Sequence, residues 1–224
     1  MTTYLAHLLY YQPEMLRALS ETAVMLLIAI AAAILIGLPM GTFIYLSRKN
    51  GVLEHKGVSL LLNNYVNIVR SFPFLLFVVA LIPVTRWVIG SAFGTYAASF
   101  PLAFVAVALY ARLVEQVLLD VPEEVVELAR AMGASKWQFL RHFLYVEARS
   151  GLVLTLTSVI ISMVSYSTIM GVVGGGGIGD FAIRYGYQRY EYDVMYTTIV
   201  IMILSVIAIQ VVGSYVATKL DKRK

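Results

Sequence analysis

Apolar residues run along this chain in stretches too long and too uniform for the alternation of a strand. A bilayer core needs about 20 consecutive apolar residues per helix. Five stretches meet that requirement, at roughly 19–46, 58–88, 96–119, 152–173 and 194–217. Helices are the reading that fits, because a barrel requires period-two alternation and many more strands. The pattern predicts an interfacial segment over 1–18, three transmembrane helices within 19–119, a polar loop over 120–151, two more helices within 152–217 and a basic tail over 218–224. Tyr4, Tyr10 and Tyr11 suit the first segment, where a ring lies in the headgroups with its hydroxyl wet.

Composition agrees. The 224 residues are 60% hydrophobic and only 13% charged, with a mean hydropathy of +0.81. Soluble domains run about 45–50% apolar and about 25% charged. A soluble enzyme, a disulfide-stapled secreted domain and a disordered tail are therefore excluded. Cysteine is absent, which removes disulfides, thiolate metal sites and a cysteine nucleophile. The first basic residue is Arg17, so the N-terminus lacks the charged start of a cleavable signal and the first span is expected to persist.

Charge placement predicts orientation. Arg48, Lys49, Lys56, Arg130, Lys136, Arg141, Arg149, Lys219, Lys222, Arg223 and Lys224 fall on one side of the five spans. Only Arg17, Arg86, Arg184 and Arg189 fall on the other, with Arg70 and Arg112 inside spans. The excess of Lys and Arg marks the cytoplasmic side. The fold class expected is therefore an all-α polytopic membrane protein of five transmembrane helices, N-terminus outside and C-terminus inside, with a helical hairpin in its third loop.

That loop is patterned. Pro122 suits a first helical turn, and Glu123, Glu124 and Glu127 suit the positive end of a helix. Val121, Val125, Leu128 and Met132 recur at helical spacing and predict one apolar face. Gly133 is placed to stop that helix at positive φ. Ser135 and Gln138 form the S-x-x-Q pair of a capping box and start a second helix, with Trp137, Leu140, Phe143 and Leu144 as its apolar face. On pattern alone the hairpin is equally an interfacial cover for the bundle.

The residues 127–133, Glu-Leu-Ala-Arg-Ala-Met-Gly, resemble the EAA signature of ABC importer permeases. Glu127, Ala129 and Gly133 match; Leu128 replaces an alanine, and Phe143, Tyr145 and Val146 stand where the family has Ile, Leu and Pro. The resemblance extends to 67–74 (NIVRSFPF), 111–115 (ARLVE), 131–135 (AMGAS), 174–180 (GGGGIGD), 185–187 (YGY) and 189–195 (RYEYDVM), all similar to the methionine-importer branch of those permeases. It implies a homodimer of five-span subunits in a cell inner membrane, cytoplasmic ABC ATPase subunits and an extracytoplasmic methionine-binding protein. It also implies that the hairpin is a coupling element, with Glu127, Ala129, Met132, Gly133 and Ala134 at the ATPase-docking surface. No cofactor, metal, catalytic residue or nucleic acid is implied.

Polar groups inside the spans supply candidates for a translocation path. Asn63, Asn67 and Arg70 fall at i, i+4 and i+7 of span two, and Pro73 and Pro83 predict kinks. A charge at that depth costs roughly 2.5–3.5 kcal/mol on insertion scales, so Arg70 must face protein or water. It is read as a path residue or, preferably, as packing glue paired with Glu115 or freed carbonyls. Arg112 and Glu115 lie near a span end and are expected to snorkel. Span four is rich in Ser and Thr, whose hydroxyls bond back to the helix; Ser162, Met163 and Tyr166 are its path candidates, ordinary packing being the simpler role of the latter two. Gly174–Gly177 is not a nucleotide loop, since no Lys-Ser/Thr follows; it reads as a flexible break shaping the outer mouth. Asp180, Arg184, Arg189, Glu191 and Asp193 then form a charged loop.

The leading expectation is a permease subunit carrying L- or D-methionine, with ATP hydrolysis on a partner. The alternatives are a permease for another small amino acid or methionine derivative, a secondary transporter, and an intramembrane scaffold or enzyme. Paired repeats are absent, against a secondary transporter. His7, His55 and His142 lie outside the spans and lack ligand spacing, against an enzyme.

Overall fold

The computed structural model describes residues 2–49 and 51–221, with side chains from residue 9 onward. The Tyr4 and His7 side chains and the tail residues Lys222, Arg223 and Lys224 lie outside the described residues. The described residues form helices joined by turns, without strands. Its helices are α1 (Thr2–Ala32), α2 (Leu38–Ser47), α3 (Lys56–Ser71), α4 (Phe74–Ile89), α5 (Thr95–Leu119), α6 (Glu123–Ala131), α7 (Lys136–Gln138), α8 (Tyr145–Val172), α9 (Gly177–Phe181) and α10 (Tyr192–Leu220). Wide π turns at Ala33–Gly37, Phe139–Leu144 and Ala182–Tyr187 join α1 to α2, α7 to α8 and extend α9.

Among the described residues, four helices are long and apolar enough to cross a membrane: Leu9–Ser47, Thr95–Leu119, Lys136–Val172 and Tyr192–Leu220. A fifth candidate is the pair α3 and α4, bent by 114°. Span two was expected to be a kinked helix. It is instead two helices, because Phe72 is extended (φ −75°, ψ 135°) and Pro73 becomes the N-cap of α4. The residue before a proline is pushed out of the α region by the ring, and the helix ends there. Pro83, by contrast, stays inside α4. In the first span the π turn Ala33–Gly37 ends two residues before Pro39. Such wide turns absorb the missing N–H of a proline without breaking the helix.

The two ends of the bundle are defined by hydrogen bonds. At one end, Leu53 and His55 donate their N–H groups to Leu46 and Ser47, tying the start of α3 to the end of α2. Arg149 and Ser150 donate to the carbonyls of Leu220 and Ala217 at the end of α10. The loop of residues 120–135 sits at this end, termed the loop end. At the other, the glycine end, Gly94 donates to the Gly174 carbonyl, so the approach to α5 meets the exit from α8. The broken pair α3–α4 thus carries the chain from the loop end to the glycine end.

Helix α5 is the centre: half of its apolar window is buried, against none for α10. Leu102, Val114 and Leu118 of α5 join Met25 and Ala29 of α1, Met163 and Met170 of α8 and Leu144 in a core of fully buried side chains. Close approach rests on small residues. A Cβ added at Gly41 would overlap the Ala111 carbonyl of α5, and one at Gly213 would overlap the Thr157 hydroxyl of α8. Small residues at crossings let membrane helices gain dispersion contacts that lipid does not supply.

Candidate functional site

At the loop end, Pro122 caps α6 with Glu123 and Glu124 in its first turn. The helix stops as its sequence demands. Gly133 has φ +66°, and the N–H groups of Met132, Gly133 and Ala134 donate to Leu128, Arg130 and Ala129. Ser135 then accepts from the Gln138 N–H while Gln138 Oε1 accepts from the Ser135 N–H, so the capping box is complete. Two helix ends therefore meet at one glycine with their polar groups bonded, which makes a defined joint.

The apolar face expected of α6 is split. Val121 and Ala129 are buried, with Val125 packed beside them, while Leu128 and Met132 are 54% and 67% exposed. Ala129 is therefore a packing residue, and Met132 and Gly133 form an open ledge. Glu127 lines a cleft of about 390 Å³ with Glu123, Arg130, Arg48 and Lys49. The second loop helix is not a separate element; it runs without interruption from Lys136 to Val172. Its expected face is also shifted. The π turn places Phe139 and Leu144, five apart, in the core and leaves Trp137 66% exposed.

The polar stripe of α3 is real, but its pairing differs from expectation. Glu115 pairs with Arg112 on its own helix, not with Arg70. Arg112 also donates to Asn67 Oδ1 at 2.7 Å, crossing from α5 to α3. The Arg112 and Glu115 side chains are 18% and 14% exposed, and through its bond to Asn67 the Arg112 guanidinium clamps α5 to α3. Arg70, one turn beyond Asn67 and next to the break at Phe72, is exposed and makes no ion pair among the described residues. Within the described residues, then, it is Arg112 and not Arg70 that Glu115 and Asn67 bind.

In α8 the hydroxyls of Thr155, Thr157, Ser158, Ser162, Ser165, Ser167 and Thr168 donate to carbonyls three or four residues back. Met163 is fully buried in the core, so its side chain faces no path along this subunit. Tyr166 is half-buried and stacks on Phe74, the first residue after the break, with centroids 4.4 Å apart and planes 16° apart. The structure thus brings Asn67 and Arg70 together on α3. It sets Ser162 and Tyr166 on α8 and buries Met163 in the core.

The end of the glycine run is tied to α1 by two hydrogen bonds. Glu21 Oε2 accepts from the Gly177 N–H at 2.9 Å and Thr22 Oγ1 from the Ile178 N–H at 2.8 Å. A Cβ at Gly179 would overlap the Thr168 backbone. Glu21 and Thr22 were not singled out in the sequence, and no local signal marks them, since their partners are 156 residues away. Beside them opens a cleft of about 520 Å³ lined by Glu14, Arg17, Glu21, Asp180 and Arg184. Arg17 pairs with Glu21 at 3.1 Å, and Arg184 pairs with Asp180. Among the described residues no three His, Asp or Glu side chains are grouped to hold a metal.

A helical bundle of membrane-spanning length, a broken helix with a polar face and a capped joint at one end define a polytopic transport component. The family described as the inner membrane component of binding-protein-dependent transport systems matches residues 33–224, and the chain belongs to it. It is accordingly a multi-pass component of the inner membrane and not an enzyme in its own right. Relatives include the probable D-methionine transport system permease protein MetI of Vibrio cholerae, 41% identical over 93% of this chain and 93% of its own. The methionine import system permease protein MetP of Bacillus subtilis is 33% identical over 80% of this chain and 81% of its own. Inward-facing structures of the MetNI methionine ABC transporter match with a TM-score of 0.88 and 36% identity, covering 92% of this chain and 96% of theirs. An amino acid ABC transporter solved with histidines shares the fold, with a TM-score of 0.73 at 21% identity over 98% of both chains.

Proposed function

We propose that this chain is the permease subunit of an ATP-driven importer for methionine. Two copies form the path, an external binding protein delivers the amino acid, and cytoplasmic ATPase subunits dock at the loop end. The observation that carries this reading is the agreement in sequence and shape, over nearly the whole chain, with relatives named for methionine transport. The loop end faces the cytoplasm, because Arg48, Lys49, Lys56, Arg130, Lys136, Arg141, Arg149 and Lys219 gather there. Counting α3–α4 as one crossing gives five spans, with the N-terminus outside and the 120–135 loop on the cytoplasmic side.

The physics of the loop suits coupling. Met132 and Gly133 present an exposed ledge whose backbone is already hydrogen-bonded, so a partner gains contacts there without unfolding the joint. Glu127 adds a carboxylate beside it, and Ala129 and Ala134 hold the ledge to the bundle. Asn67 and Arg70 form the polar wall of the path on α3, with Ser162 and Tyr166 facing it from α8. Proteoliposomes holding the permease, its ATPase and its binding protein should accumulate labelled methionine only with ATP and binding protein together. Accumulation of another amino acid in preference to methionine would reassign the substrate. The absence of native cysteine permits a check of orientation: Gln188→Cys should label from outside with an impermeant thiol reagent, and Lys49→Cys only after permeabilisation.

A further inference from the structure

We propose that an apolar groove at the loop end holds an acyl chain of an anionic phospholipid, with the lipid phosphate seated at Lys136. The groove measures about 470 Å³ and runs between α2 and the α7–α8 junction, lined by Pro39, Phe43, Leu46, Leu53, Trp137 and Leu140, among others. Its two hydroxyls ask nothing of a ligand. Thr42 donates to the Leu38 carbonyl at 2.8 Å, and the Tyr145 hydroxyl donates to Thr42 Oγ1 at 2.7 Å. What fits is hydrocarbon. Pro39 lies eight residues in from Ser47, so the groove reaches about 12 Å along the span from the helix end. It is open sideways, where Phe43 is 53% exposed.

The rim supplies the headgroup chemistry. Lys136 is the one charged side chain that lines the groove, and it is exposed without an ion pair among the described residues. Trp137 beside it is 66% exposed, an indole placed where the apolar span meets the polar loop. Trp and Lys at that level mark the headgroup layer, with the lysine stem along apolar surface and its ammonium among phosphates. Carboxylates line the neighbouring cleft of Arg48 and Lys49, not this groove. The net charge offered to a headgroup is therefore positive, which selects an anionic lipid over a zwitterionic one. The inference needs only that the bundle spans a bilayer; it does not depend on which substrate is carried.

The chain contains its own reporter. It has two tryptophans, and Trp87→Phe leaves Trp137 alone. In nanodiscs, acyl-brominated phosphatidylglycerol should half-quench Trp137 at about a fivefold lower mole fraction than brominated phosphatidylcholine, the preference that one lysine confers near anionic headgroups. Lys136→Gln should abolish that preference and Lys136→Arg should keep it. Val52→Phe, which fills the groove without changing charge, should weaken quenching by both lipids. Equal half-quenching fractions, or a preference that survives Lys136→Gln, overturns the proposal. Release of the quenching by inorganic phosphate at constant ionic strength overturns it in favour of a free anion. Loss of the quenching when the ATPase subunits are added overturns it in favour of a protein cover.

Discussion

Arg112 of α5 donates a hydrogen bond to Asn67 of α3 across 2.7 Å, tying the central helix to the broken one. The same guanidinium pairs with Glu115. Removing one member leaves the other charged and poorly solvated, which is costlier than removing both. Glu115→Gln should therefore lower stability by on the order of 2 kcal/mol, less than the 3–5 kcal/mol of a fully buried pair. The double change Arg112→Met with Glu115→Gln should cost less than the sum of the single changes. Thermal unfolding in detergent measures this; strictly additive losses would remove the clamp from the account.

Arg70 behaves differently, because it is exposed and unpaired. Arg70→Ala should change stability by no more than about 0.5 kcal/mol, as for surface sites without special contacts. Methionine uptake should fall nonetheless, since the cation belongs to the proposed path. A large drop in melting temperature with normal uptake per folded complex would return Arg70 to a packing role.

At the glycine end, Thr22 accepts the N–H of Ile178 in the five-residue α9. Thr22→Ala should cost about 1 kcal/mol, the usual loss of a helix cap. Gly179→Ala should cost more, because a Cβ there overlaps the Thr168 backbone and no flexible side chain can move aside. Melting curves of the two variants should rank in that order. A Gly179→Ala protein as stable as the parent would show that α8 and α9 approach less closely than the structure has them.

The sequence carried the local features well and the distant ones poorly. Gly133, Ser135 and Gln138 announce a joint because helix termination and capping are decided within a few residues. The break after Ser71 was equally local, yet a proline within an apolar stretch reads as a kink unless the extended preference of Phe72 is weighed. The partner of Arg112 was out of reach, since which polar groups meet across helices depends on how α3 and α5 cross. The glycines of 174–179 look flexible in sequence. Their purpose is visible only once Thr168, Glu21 and Met25 are found where their side chains would be. Met163, fully buried, shows the same limit from the other side: an apolar residue on a candidate path helix is placed by the helix's rotation, which composition does not reveal.

Gly133→Val is the sharpest probe of whether the joint at Gly133 passes ATPase motion to the path, as proposed. Nothing lies within 4 Å of a Cβ built there, so the substitution causes no clash. Its cost comes from φ +66°, roughly 1–2 kcal/mol for a residue with a Cβ and more for a β-branched one. The site is outside the spans, so insertion and the fold of the bundle should persist. The measurement is methionine taken up per ATP hydrolysed by complexes in proteoliposomes. Gly133→Val should lower this ratio or prevent ATPase association, while Gly133→Asn, which tolerates the left-handed conformation, should keep most of it. Parental assembly and an unchanged ratio in Gly133→Val would rule out coupling through this joint and leave the loop as a cover for the bundle.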